Sequence, residues 1–134
     1  MNLVYFVRIV VASFCVLLLF SCHKNSGQDA ESPKISIVEP LLNDTLHLSS
    51  GDELHIEFTL TDNAGLHSLQ VKLSDENGSE YLNAVPDVMN LKVYPFHTHL
   101  TPSITSTKRM TLKVMAEDHA MNALSEEIQF VVLP

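Results

Sequence analysis

From Pro33 onward apolar side chains recur at every second position, the period of strands that bury one face. "ELHIEFTLTD" (Glu53–Asp62) shows it most clearly, with Leu54, Ile56, Phe58 and Leu60 on one side and Glu53, His55, Glu57 and Thr59 on the other. The same alternation predicts strands over Lys34–Val38, over Ser68–Ser74 through Leu69, Val71 and Leu73, and over Arg109–Asp118 through Met110, Leu112, Val114 and Ala116. It also predicts one over Asp87–Phe96, with Met89, Leu91 and Val93 inward, one over Glu126–Leu133, with Ile128, Phe130 and Val132 inward, and a short one near Glu80–Asn83. "SSGD", "DNAG", "DENG", "AVPD" and "DHAMN" fall between them as turn signals, and no segment carries a helical repeat of useful length. An all-β domain over residues 33–134 is expected: a two-sheet β-sandwich of about seven strands, each sheet with one buried face.

Before that domain the pattern changes. Arg8 precedes the uninterrupted apolar segment Ile9–Phe20, a positive n-region and an h-region of signal-peptide length. The run from Val4 to Ser21, with Arg8 inside it, is shorter than the roughly 20 apolar residues of a membrane span, so a signal anchor is the minor alternative. Leu19, Phe20, Ser21 and Cys22 resemble the lipobox of bacterial lipoproteins, although Phe20 replaces the usual small residue. That resemblance implies a signal peptide over residues 1–21, cleavage before Cys22 and lipid on its thiol and new amino group. Several acyl chains then hold the protein on a bilayer, each buried methylene contributing about 0.8 kcal/mol. An ordinary signal peptide with a chance cysteine is the alternative. Residues 22–32, with the polar stretch "HKNSGQDAES", read as lipidated cysteine and flexible tether. With no acidic residue directly after Cys22, resemblance to Gram-negative sorting rules implies the outer membrane.

"TDNAGLHSLQVKL" resembles a loop and strand of bacterial immunoglobulin-like domains, and "KVMAEDHAMNALSEEIQFVV" resembles their closing hairpin, with Met121 in place of the usual glycine. The layout as a whole is similar to that of small uncharacterised envelope lipoproteins with one Ig-like domain. This implies an immunoglobulin-like strand order and a cell-envelope location, and no particular activity.

Charge and cysteine usage narrow the chemistry. The chain carries 8 basic and 16 acidic residues, a net charge of −8, and loss of Arg8 would make it more negative still. Such a surface repels nucleic acid and anionic headgroups. Both cysteines, Cys15 and Cys22, lie outside the domain, which must therefore be stable without a disulfide. No G-x-S-x-G, cysteine nucleophile or H-E-x-x-H is present, so no enzyme is expected. Carbohydrate platforms are poorly supplied too: there is no tryptophan, Phe58 and Phe130 read as core, and Tyr94 and Phe96 as half-buried.

Histidine is the surplus residue, with seven in all. In "PFHTHL" a strand would put His97 and His99 on one face about 7 Å apart, a pair able to bind Zn²⁺ or Cu²⁺ through neutral imidazoles. A working site needs a third ligand and usually a fourth. The Ig-like order implies that this pair looks toward His47 and Asp52, while Asp62, His67, Asp118 and His119 gather at the opposite pole as loop-binding candidates. Asp62 and Asp118 each have a simpler role open to them, accepting backbone N–H groups of their own turns. Calcium would need more converging carboxylates than any one loop offers.

The resulting expectation is a lipid-anchored outer-membrane protein acting as a non-enzymatic binding or accessory module. Its partner would be an envelope protein or an extracellular polymer such as a polysaccharide. The alternative is a transition-metal-binding lipoprotein using the His-x-His pair.

Overall fold

The computed structural model describes residues 29–134. The proposed signal peptide, Cys22 and most of the proposed tether lie outside these residues. Eight strands form among them, and no helix: β1 (Lys34–Glu39), β2 (Thr45–His47), β3 (Leu54–Thr61), β4 (Leu66–Asp75), β5 (Glu80–Ala84), β6 (Val93–Leu100), β7 (Lys108–Asp118) and β8 (Ala123–Leu133). One sheet has the order β1-β3-β6 and the other β2-β8-β7-β4-β5. All pairings are antiparallel except β2 with β8.

The period-two pattern explains the burial. In β3 every second residue from Leu54 to Leu60 is buried, and β7 does the same from Met110 to Asp118. Apart from Asp118, these side chains join Leu69, Val71 and Leu73 of β4, Phe96 of β6, and Ile128, Phe130 and Val132 of β8 in one hydrophobic cluster drawn from both sheets. Within it the rings of Phe58 and Phe96 stack at 4.8 Å. Each large apolar side chain fully buried this way contributes about 1.5–3 kcal/mol, so the core can carry a domain that has no disulfide.

One expectation needs correction, and one strand is an addition. The segment expected to enter β6 at Asp87 is a connection as far as Lys92, and Met89, Leu91 and Val93 are exposed rather than inward. The cause is a turn closed by the Leu91 N–H on the Val88 carbonyl, with Asn90 at φ 65°, which buries Val88 instead and resets the alternation. β6 then turns Phe96 inward and His97 and His99 outward. The addition is β2, whose three residues are too few to show a period. It is held by its parallel pairing to β8, extended by hydrogen bonds from Asn43 N–H to Gln129 O and from Val131 N–H to Asp44 O.

Candidate functional site

Register is what builds the first cluster. β3 and β6 pair so that His55 stands opposite His99 and Glu57 opposite His97. Residues directly opposite on adjacent strands have Cβ atoms about 4.5–5.5 Å apart, so the outward imidazoles meet. Ring centroids are separated by 4.1 Å for His55 and His99, 4.5 Å for His97 and His99, and 6.3 Å for His55 and His97, all edge-on. One ring nitrogen from each lies within 4.8 Å of the other two.

Carboxylates border this face. Glu53 Oε2 is 3.0 Å from His99 Nδ1 and 3.7 Å from His55 Nε2, and Glu39 Oε1 is 3.5 Å from His55 Nδ1. A carboxylate on His99 Nδ1 fixes the ring and leaves Nε2 to face an ion, the arrangement that commonly orients histidine ligands. Glu53 could equally close the coordination as an oxygen donor. The rings are exposed, so an ion would enter without any opening of the fold.

The third imidazole, His55, is absent from the sequence-derived candidates. Its outward phase in β3 was readable; its match with His99 depends on a non-local register that one sequence does not specify. His47 does not join the three rings. It lies on β2 in the other sheet and lines a shallow cleft of about 300 Å³ together with Glu39, Glu53 and His55.

At the far end of β3 the remaining candidates come together. His67 is the extra residue of a bulge in the β4–β7 pairing, and its exposed ring lies 5.0 Å from that of His119. His119 Nε2 is 2.8 Å from Asn90 Oδ1. Beneath them Asp62 and Asp118 are buried, and they converge with Asp29, which sequence reasoning placed in the tether. Asp62 Oδ1 accepts the N–H groups of Ala64 and Gly65. The Asp118 carboxylate accepts both the backbone N–H and the side-chain amide of Asn122. Burial works against charge on Asp118, but these Asn122 bonds, the Ala120 N–H and neighbouring His119 outweigh it and hold the carboxyl below its ordinary range.

Comparison with known proteins adds one likeness. Residues 20–84 match the model of the family described as "Domain of unknown function (DUF4625)", a span that takes in β1 to β5, His55 and Asp62 but stops short of His97, His99 and Asp118. No curated protein matches the chain.

Proposed function

We propose that this chain is a lipid-anchored envelope protein whose immunoglobulin-like β-sandwich binds a transition-metal ion, Zn²⁺ or Cu²⁺, through His55, His97 and His99. The observation that carries the reading is the convergence of three imidazoles from two paired strands on one open face, with Glu53 beside them. Imidazole suits both ions, and three nitrogen donors with an open position is a common coordination set. The immunoglobulin-like assignment is supported by the strand orders, one sheet of three and one of five with the first two strands divided between them. Lipidation at Cys22 is supported by the sequence from Arg8 to Cys22, and an outer-membrane location by the non-acidic His23 that follows it.

Full-length chain purified in detergent should bind Zn²⁺ or Cu²⁺ at one ion per chain with a dissociation constant below micromolar by isothermal titration. His97→Ala with His99→Ala should abolish binding, and His55→Ala alone should weaken it at least tenfold. Acidification, which protonates imidazole ligands, should release the ion. Stoichiometric binding that survives all three replacements would refute the site.

A second reading, that the domain docks onto another envelope protein, is favoured by the β5–β6 connection. Val85, Met89 and Leu91 in it, and Val93 at the start of β6, expose 42–71% of their surface, apolar area suited to a protein partner. Crosslinking from Leu91 in intact cells should recover one defined envelope protein, and recovery of the chain alone would remove this reading.

A further inference from the structure

We infer that Asp29, Asp62 and Asp118 form a calcium site that clamps the segment entering the domain onto the pole opposite the histidine face. Each of these residues offers an oxygen within 4.8 Å of the other two. Oxygens that share one Ca²⁺ at 2.3–2.6 Å lie at most about 5 Å apart, so the three can serve a single ion. They come from the residue leading into β1, the β3–β4 turn and the start of the β7–β8 turn, sites far apart in sequence.

The second observation is a missing partner. Asp62 is 8% exposed and its Oδ2 is buried with no hydrogen-bond partner among the described residues; Asp29 Oδ2 is in the same position. Asp62 Oδ1 already serves two backbone N–H groups. Asp29 Oδ1 likewise accepts the Glu31 N–H and the Asn63 side-chain amide at 2.8 Å. The free oxygens therefore belong to carboxylates whose other oxygens are occupied, and they sit beside a third carboxylate. Buried carboxylate oxygens without donors cost free energy unless a cation meets them. The lysines that form ion pairs among the described residues, Lys34, Lys108 and Lys113, reach Glu31, Asp75 and Glu127 instead.

The donors choose the ion. All three are hard carboxylate oxygens, which suits calcium or magnesium rather than zinc or copper. Magnesium demands near-ideal octahedral geometry and keeps its own waters, whereas calcium accepts an irregular set of six to eight oxygens and tolerates water in the remaining positions. Three carboxylates from three separate segments are an irregular set. The backbone around Asp29 is already held at this place, its carbonyl accepting the Asn122 side-chain amide at 3.0 Å, so an ion there would fasten the entering chain to both turns.

Full-length chain in detergent, stripped with EGTA, should bind one Ca²⁺ with a dissociation constant of about 10⁻³ M or tighter, the range of extracellular modules and above. Calcium should raise Tm and slow hydrogen exchange at Ala30–Ser32. Asp29→Asn, at a residue outside every strand, should keep the fold while weakening calcium binding at least tenfold; Asp62→Asn should do the same and still accept its two turn N–H groups. His55→Ala should leave calcium binding unchanged, which separates this site from the histidine face. Absence of stoichiometric binding, equal affinity for Mg²⁺, or affinity indifferent to both aspartate replacements would overturn the calcium site. Binding without slower exchange at Ala30–Ser32 would overturn the clamp.

Discussion

Met121 sits at φ 68° with 81% of its surface exposed, in the turn between β7 and β8. A side chain with a Cβ in the left-handed region costs about 1–2 kcal/mol, and Met121 is too exposed among the described residues for packing to offset it. The turn holds because Asp118 organises it: its carboxylate takes the Asn122 N–H at 2.8 Å and the Asn122 amide at 2.7 Å, while its own N–H donates to the Asn122 carbonyl at 3.1 Å. Met121→Gly should therefore stabilise the protein by about 0.5–1 kcal/mol, part of the relief being lost to the freer unfolded chain. Urea denaturation measures this directly, and a lower midpoint for the glycine variant would contradict it. Gly65 is the converse case. Its φ is 132°, and an added Cβ would meet three backbone atoms of Asn90 at 3.4 Å. Gly65→Ala should cost about 1–3 kcal/mol in the same measurement, because an L side chain is strained at that φ while the Asn90 contact is an ordinary one.

Strands show where the sequence is informative and where it falls silent. β3, β4, β7 and β8 each bury one face over many residues, so their period was plain and their inward residues could be named from the chain alone. β6 was misphased because Met89, Leu91 and Val93 alternate in a segment whose turn, with Asn90 in the left-handed region, ends the alternation before the strand starts. The histidine face has the same limit. His97 and His99 declare themselves by spacing, but His55 joins them only through the pairing of β3 with β6. Asp29 is harder still, lying in a polar stretch with no periodicity and meeting Asp62 and Asp118 only in the folded chain. Period reports a residue's own face, and register decides which neighbours it meets. The buried face of β3 gives the matching stability prediction: Phe58→Ala, which removes a fully buried ring stacked on Phe96, should cost about 3–5 kcal/mol. A much smaller loss in thermal or urea denaturation would mean that the two sheets close over the gap.

Across the whole molecule, an acidic chain without a disulfide in its domain depends on how its buried charges are partnered. Asp75 is the chief case. Its Oδ1 accepts the N–H groups of Asn77 and Ser79, and its Oδ2 lies 2.7 Å from Lys108 Nζ and 3.2 Å from the Tyr81 hydroxyl. The Lys108 hydrogen bond, aided by those N–H groups against the opposing effect of burial, holds the Asp75 carboxyl well below the ordinary carboxylate range. The same hydrogen bond, made to Asp75, raises the Lys108 ammonium above its ordinary value. A carboxyl depressed in the folded state favours folding fully above its unfolded pKa of 3.8, and that contribution is lost as pH falls from there toward the folded value. A raised ammonium favours folding below its unfolded pKa of 10.5, and its contribution is lost as pH rises through the folded value above that. Between those limits this pair should leave stability nearly independent of pH. Asp75→Asn should lower Tm at pH 7 and flatten the acid limb of the Tm–pH curve below about pH 4, where the native carboxylate would otherwise take up its proton. Lys113→Ala, which breaks the exposed pair with Glu127, should change Tm little. If Asp75→Asn left the acid limb as steep as before, other carboxylates would have to carry the acid sensitivity of the fold.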